Sequence, residues 1–237
     1  MKALIIIPAY NEEKNILKSF NKIKKVSNLG KNVDIMVIND GSTDDTKNIL
    51  EKNNIPHINL INNLGIGGAV QTGYKYAYEN NYDIAIQFDG DGQHDANYIK
   101  NIIEPLKDNK ADMVIGSRFI DSSSSDFKST KTRRLGINII SFFIKFLTKK
   151  KIYDTTSGFR AINKDLIKLF ANDYPVEYPE PVSTTKILKT GYKVLEIPVS
   201  MNERKHGISS INQWKNIYYM VNVIISIIVI GIGGTKK

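Results

Sequence analysis

The chain has 237 residues, of which 41% are hydrophobic and 24% charged, so it is long enough to bury the core of one large α/β domain. It has no cysteine, which excludes a disulfide framework and a metal held by thiolates. The net charge of +9 favours phosphate-bearing ligands or anionic lipid, and since no nucleic-acid motif accompanies it, no nucleic-acid partner is expected.

Short apolar runs alternate with helical patterns over the first 115 residues. The run at 3–7 is apolar throughout, as in a strand covered on both faces, and apolar residues at helical spacing predict a helix over 12–27. Ser42 with Asp45 resembles a capping box that opens the next helix. This rhythm predicts a mainly parallel, doubly wound sheet. The further predicted strands are 33–38, 57–61, 83–88 and 113–115, and the further helices are 43–53, 67–80 and 96–108.

Polar segments follow four of the predicted strands. Because the carboxyl ends of parallel strands meet at one edge of a sheet, where ligands bind in such folds, these segments predict a single site. The four segments are 8–13, 39–44, 62–68 and 89–95.

The last of these segments contains two carboxylates, Asp89 and Asp91, each followed by a glycine. Such a pair with open coordination positions suits Mg²⁺ or Mn²⁺ shared with a substrate phosphate, although Asp and Gly also mark ordinary turns. Gln93 is a third candidate ligand. His94 is interpreted as a supporting group, since these ions prefer oxygen.

The second and third segments offer groups for a nucleotide. Asp40 can accept a hydrogen bond from a base or a ribose, or cap the turn that follows it. Asn63 and Gly68 belong to a glycine-rich segment that can bring backbone N–H groups to a phosphate or ribose at a helix N-terminus. The glycine spacing is neither that of a dinucleotide fold nor that of a P-loop.

The second half of the chain is less regular. Residues 122–134 are predicted as a mobile basic loop, and 135–148 as a helix that is either buried or faces a membrane. A helix over 180–190 and a strand over 193–199 follow. Glu180 is a candidate general base, or an ordinary acid at a helix N-terminus. Arg204 lies in a loop that either closes over a diphosphate or stays at the surface.

An uncharged stretch from 217 to 234 just reaches the length of a membrane-spanning helix. Three interpretations stay open: it spans a membrane, lies in the membrane interface, or packs on the domain. The glycines near its end and two polar residues favour the interface. The expected organisation is a catalytic domain over 1–215, divided at 115, and an apolar C-terminal helix over 216–237.

The chain resembles a family-two glycosyltransferase with the GT-A fold, in the branch of dolichyl- and polyprenyl-phosphate mannose and glucose synthases. The resemblance implies an inverting, metal-dependent transfer of a sugar from a nucleoside diphosphate at the cytoplasmic face of a membrane. The matching motifs are Ile7-Pro-Ala-Tyr-Asn-Glu12, Val37-Ile-Asn-Asp-Gly-Ser-Thr-Asp44, Asn63-Leu-Gly-Ile-Gly-Gly-Ala69, Phe88-Asp-Gly-Asp-Gly-Gln-His94, Gly116-Ser-Arg118, Thr156-Ser-Gly-Phe-Arg160 and Arg204 with Gly207, Ser209 and Ser210.

Roles follow from this resemblance position by position. Mg²⁺ or Mn²⁺ would be surrounded by Asp89, Asp91 and Gln93, and Arg204 would clamp the diphosphate. Arg118 would lie near the donor or the acceptor. The nucleoside would be held by Pro8, Tyr10, Glu12 and Asp40.

One position departs from the family pattern. The branch usually carries a second acid two residues after the first, where this chain has Val182. Base catalysis then depends on Glu180 or is not needed, because an acceptor phosphate is already ionised at pH 7 whereas a sugar hydroxyl is not. The expected acceptor is therefore a polyprenyl phosphate or a growing saccharide. One rival hypothesis is a sugar-nucleotide-binding regulator or inactive partner subunit. A second is a nucleotidyltransferase, but the loop at 8–12 is not the glycine-rich basic loop that such enzymes need after the first strand.

Overall fold

The computed structural model describes residues 1–26, 32–120, 131–201 and 213–233, without the side chains of 131–133 and 213–219. The strands are β1 (Ala3–Ala9), β2 (Val33–Asn39), β3 (His57–Asn59), β4 (Ile84–Gln87), β5 (Met113–Ser117), β6 (Arg160–Asn163) and β7 (Val194–Pro198). The helices are α1 (Ile16–Val26), α2 (Thr46–Lys52), α3 (Gly65–Glu79), α4 (Ile99–Lys107), α5 (Lys131–Thr148), α6 (Lys164–Asn172), α7 (Pro179–Lys189) and α8 (Gln213–Ile232).

The strands of the described residues form one sheet in the order β3-β2-β1-β4-β6-β5-β7. β1 pairs in parallel with β2 on one side and with β4 on the other. β6 runs antiparallel to its neighbours β4 and β5, and β7 closes the sheet parallel to β5. The prediction of a mainly parallel α/β sheet flanked by helices is confirmed, with one reversed strand inside it.

The core lies on both faces of this sheet. β1 lies inside the sheet between β2 and β4, and all seven of its residues are buried and uncharged, as expected for a strand that is covered on both faces. On one face, α1 and α4 contribute residues such as Ile16 and Ile102. On the other face, α3 and α6 contribute residues such as Tyr74 and Phe170, whose ring centroids are 5.6 Å apart. The two covered faces leave the ends of the strands as the place where polar groups can gather.

Two predicted helix starts are wrong. The helix predicted over 12–27 begins at Ile16. The backbone N–H groups of Glu12 and Glu13, ahead of it, donate to the side chains of Thr46 and Asp44. The predicted capping box at Ser42 does not form. Its hydroxyl accepts from the backbone of Asn11 at 3.0 Å, α2 begins at Thr46, and the N-cap residue makes no capping bond from its side chain.

Other differences lie in the second half. β6 and α6 were not predicted. β6 is hard to recognise because it has only four residues and begins with an arginine, a residue type that is rarely buried. The predicted basic loop is wrong from residue 131 onward, where α5 already runs, and its part at 121–130 lies outside the described residues.

Helices α5 and α8 lie side by side and run in the same direction. A Cβ atom on Gly136 of α5 would come within 2.8 Å of Met220 Sδ on α8. One on Gly231 of α8 would come within 2.6 Å of the Leu147 side chain on α5. The two contacts are separated by the same number of residues on each helix, so the helices pack in register, and each glycine lets a side chain of the partner helix approach closely.

The predicted apolar C-terminal helix is found as α8, which ends at Ile232. Across the described ranges, the structure contains no helix that is both long and apolar enough to cross a membrane.

Candidate active site

The polar loops after β1 and β2 are tied to each other at the carboxyl edge of the sheet. Asn11 donates from its backbone to Ser42 Oγ, and its side-chain oxygen accepts from the backbone of Thr43 at 2.8 Å. Glu13 is bonded in the same reciprocal way to Asp44 and Asp45. These side chains hold the two loops against each other at the same edge of the sheet, as expected if the polar segments form a single site.

Asp40 sits at the end of β2 and is buried. Its Oδ1 accepts from the backbone N–H of Leu64 at 2.7 Å, so it fixes the loop after β3 instead of capping its own turn. That turn is closed by Asn39 Oδ1, which accepts from Ser42. Burial raises the pKa of the Asp40 carboxyl, although the N–H groups of Leu64 and Gly65 oppose the shift.

The other residues predicted for the nucleoside lie around the same edge. Tyr10 is 48% exposed in the loop after β1, and the Glu12 carboxylate accepts from the Asn15 amide at 2.8 Å. Asn63 bonds the carbonyl of Asp40 at 3.2 Å and so joins the same loop. Pro8 lies in β1 and Gly68 is buried in the first turns of α3.

Asp89 follows β4 at the middle of the edge and is held from two sides. His94 Nε2–H donates to its Oδ2 at 3.0 Å, and a Cβ atom on Gly158 would lie only 2.5 Å from the same oxygen. Burial opposes ionisation of Asp89, but the hydrogen bond from His94, with smaller contributions from Gln87 and Arg118, prevails and holds the pKa of Asp89 below its usual value. Asp89 is thus kept as a fixed carboxylate in a cradle that a side chain at 158 would fill.

Asp91 and Gln93 complete the predicted metal group, with Asp91 Oδ1 accepting from the backbone of Gln93 at 3.0 Å. Among the described residues there is no group of three or more His, Cys, Asp and Glu side chains arranged to hold a metal. Two carboxylates nevertheless fit Mg²⁺ or Mn²⁺, because these ions commonly complete their coordination with water and substrate phosphates.

Arg118 is buried beside this group and forms a bidentate ion pair with Asp154. Its Nε and Nη2 atoms donate to the two carboxylate oxygens at 2.7 Å each. Burial opposes the charge of Arg118, yet Asp154, and more weakly Asp89 and Asp91, raise its pKa. Burial likewise opposes ionisation of Asp154, and Arg118 overcomes it and lowers the pKa. A permanent positive charge therefore lies close to the carboxylate pair.

A second arginine adjoins Arg118. The guanidinium carbons of Arg118 and Arg134 both lie over the ring of Phe119, at 5.1 and 4.0 Å from its centroid. Arg134 belongs to the first turn of α5, so the basic cluster connects the site to the α5–α8 pair.

Glu180 is partly exposed in the first turn of α7, so its expected position at a helix N-terminus is correct. The Gln87 amide donates weakly to Glu180 Oε1 at 3.4 Å and to Asp89 Oδ1 at 3.5 Å. Burial raises the pKa of the Glu180 carboxyl, with Arg160 opposing the shift. Val182 is buried and offers no acid, as the sequence indicates.

Sequence reasoning missed the partners that hold the site together: Asp154, Gln87 and Gly158. Asp154 could have been noticed as an acid close to a Gly-Phe-Arg motif. Its pairing with Arg118 is not visible in the sequence, because the two residues are 36 positions apart. Arg160 was quoted in a motif without a role. The predicted diphosphate clamp, Arg204, lies outside the described residues.

A mainly parallel sheet with paired carboxylates at its central carboxyl edge, and with polar loops joined to one another beside them, defines a GT-A type glycosyltransferase. The chain belongs to glycosyl transferase family 2, whose profile matches residues 4–170.

Named relatives and solved structures agree with this assignment. The chain is 32% identical over 216 residues to the UDP-N-acetylglucosamine–dolichyl-phosphate N-acetylglucosaminyltransferase of Methanococcus voltae, covering 82% of this chain and 83% of the relative. It is 25% identical to the polyprenol monophosphomannose synthase of Mycolicibacterium smegmatis, over 89% and 81% of the two chains. A mannosyltransferase from Pyrobaculum calidifontis in complex with GDP-Man and Mn²⁺ shares the fold with a TM-score of 0.70 at 16% identity, over 99% of this chain and 65% of that one.

Proposed function

We propose that the chain transfers a sugar from a nucleoside-diphosphate donor to a polyprenyl phosphate, with inversion, at the cytoplasmic surface of a membrane. The observation that carries the proposal is the Asp89 cradle, in which His94 and Gly158 fix a carboxylate beside Asp91. The named relatives use dolichyl phosphate or make polyprenol monophosphomannose, which supports a lipid phosphate as the acceptor. A growing saccharide is the second acceptor class.

The donor fits along the edge from β2 to β4. The nucleoside is assigned to the loops of Tyr10 and Asp40, and the diphosphate to Asp89 and Asp91. A bound Mg²⁺ or Mn²⁺ would neutralise the charge that develops on the leaving diphosphate. Gln93 completes the assigned ligand set, and Arg204 is proposed to clamp the same diphosphate.

The acceptor fits on the opposite side, next to the basic cluster of Arg118 and Arg134. Asp154 balances the charge of Arg118, so Arg134 gives the cluster its net positive charge. That charge attracts an anionic acceptor and lowers the cost of bringing its phosphate to a site that already holds negative groups. Because that phosphate is ionised at pH 7, no general base is required, which agrees with the absence of a second acid at Val182.

The deciding experiment measures release of nucleoside diphosphate by the pure chain from UDP- and GDP-sugars, with polyprenyl phosphate and Mn²⁺. Release is expected to require both the lipid phosphate and the ion, and Asp91→Asn should abolish it. The matched control is Asp95→Asn in the same loop, where the new side chain can still cap the turn through an oxygen. If the wild type binds donor with Mn²⁺ but never turns it over, the chain is the regulator or inactive partner subunit instead.

A second variant separates the acceptor classes. Glu180→Gln should cost on the order of 10²–10⁴ in rate if the acceptor is a sugar hydroxyl that must lose a proton. With a polyprenyl phosphate the cost should be small. A large loss with the authentic lipid phosphate would contradict the argument that no base is needed, and would mean that Glu180 positions a group instead of taking a proton.

The α5–α8 pair presents an apolar surface suited to the membrane interface. Arg134 stands at one end of α5 and Lys149 at the other, as expected for helices that meet lipid phosphates. We propose that both helices lie in the interface plane. Seven apolar side chains of the pair are half-exposed or more: Leu135, Phe142, Phe146, Val221, Ile225, Val229 and Ile232.

The surface is tested by co-sedimentation with anionic vesicles. The intact chain should sediment at low salt and be only partly released at high salt, because buried apolar area is not screened. Phe142→Ser with Phe146→Ser should leave binding weak and salt-sensitive, whereas Ile61→Ser, a change at a 97% exposed residue elsewhere, should not. Equal binding by both variants would reassign the pair to a protein interface.

A further inference from the structure

Arg160 is one of the largest fully buried side chains among the described residues, with 1% of its surface exposed. A buried charge is costly unless it is paired or hydrogen-bonded on all sides. Among the described residues no carboxylate lies within ion-pair distance of Arg160. Its guanidinium is satisfied instead by neutral oxygens, which is an expensive arrangement for a residue that only fills space.

The oxygens come from two separate walls of the candidate site. Arg160 Nε donates to the Ser157 carbonyl at 2.7 Å, next to the glycine that faces Asp89. Its Nη1 donates to the Glu180 carbonyl at 2.9 Å, in the first turn of α7. The same nitrogen reaches Thr184 Oγ1 at 2.9 Å. One side chain thus joins the wall that contacts Asp89 to the helix that carries Glu180.

The strand register places Arg160 under both carboxylates. It pairs with Gln87 across β4 and β6, and opposite residues of an antiparallel pair point to the same face. Gln87 bonds the side chains of Asp89 and Glu180, while Arg160 bonds the backbone around them. Together they form the floor of the site, and the Arg160 charge acts on the Glu180 carboxylate.

We propose that Arg160 is a positioning residue that fixes the Asp89 and Glu180 walls at the spacing needed to bind the metal and the donor diphosphate. This inference rests on the proposed function, because it assigns the ion and diphosphate to Asp89. Because Arg160 is buried beneath the site, its effect on the ion and the diphosphate is exerted through Ser157 and Glu180. A lysine keeps the charge but has no planar fork with which to hold both carbonyls at once.

The first test compares Arg160→Lys with the wild type by calorimetric titration of Mn²⁺ and nucleoside diphosphate, a measurement that needs no turnover. The variant should remain folded and require at least about tenfold more Mn²⁺ for half-saturation, the usual cost of losing a partner that orients a metal ligand. Unchanged Mn²⁺ and nucleotide affinity in a folded Arg160→Lys would overturn the inference. A wild type that binds neither would instead refute the proposed function.

A matched pair of threonines separates positioning from packing. Thr184 and Thr185 are both fully buried in α7, and each hydroxyl bonds a carbonyl one turn earlier. Of these two threonines, only Thr184 accepts a hydrogen bond from Arg160. Thr184→Val should weaken Mn²⁺-dependent nucleotide binding on the order of threefold, and Thr185→Val should leave it unchanged. If both variants weaken it equally, the effect is one of helix packing and Arg160 has no special role.

Discussion

The two sides of the candidate site are held by different kinds of interaction. On the nucleoside side, the loops after β1 and β2 are joined by many short bonds between side chains and backbone, several of them at the surface. On the acceptor side, two buried arginines, Arg118 and Arg160, do the same task. On the first side the bonds are redundant, so losing one should cost little stability. On the second side each bond compensates a buried charge, so losing one leaves that charge unpaired and should cost much more.

The largest effect is expected from Asp154→Asn. The change leaves Arg118 buried without its ion pair, and breaking such a pair costs about 3–5 kcal/mol of folding stability. Denaturant unfolding measures the loss. The control is Asp173→Asn, which breaks an ion pair with Lys186 at a 68% exposed side chain and should have no measurable effect. A similar response of the two variants would remove the distinction between the two sides.

Gly158→Ala is expected to act on the site more than on the fold. The added methyl group would lie 2.5 Å from Asp89 Oδ2, so the carboxylate must move. Displacing a metal ligand through its surroundings typically costs about 10–100-fold in metal affinity. Titration of Mn²⁺-dependent nucleotide binding measures this loss. Normal half-saturation by Mn²⁺ would show that Asp89 needs no cradle.

Acid should weaken the acceptor side through Asp154. The folded pKa of Asp154 is lowered, so its contribution is fully present above the unfolded value, about 3.9, and is lost as pH falls through the lower folded value. Stability should therefore fall below about pH 4, and Asp154→Asn should flatten that part of the curve. An equally steep acid limb in the variant would assign it to other carboxylates.

The smallest effect is expected on the nucleoside side. Ser42→Ala removes the acceptor of the Asn11 N–H, but the bond is exposed and water replaces it. The cost should lie near the lower end of the usual 0.5–1.5 kcal/mol for a hydrogen bond, at about 0.5 kcal/mol. Thermal unfolding measures it. A loss as large as that of Asp154→Asn would mean that the loops are not redundant.

The same contrast explains how far the sequence predicted the molecule. The strands of the first half and their polar loops are local patterns, and they were found with small errors at their ends. The capping box failed because Ser42 is used by Asn11, a residue in another loop. β6 was missed because Arg160 is buried by partners in α7 that no local pattern reveals. The carboxylate pair was visible in the sequence, whereas its supports, His94 excepted, depend on tertiary contacts.

The register of the α5–α8 pair also has a consequence for synthesis. The inner residues of α5, such as Ile140 and Ile144, pack in one cluster with Val223 and Ile227 of α8. These partners are translated roughly eighty residues later, which at about 5–20 residues per second is a delay on the order of 4–17 s. During that interval the face of α5 that packs on α8 lacks this partner. The yield of folded protein should therefore depend on what shelters this helix while the ribosome completes α8.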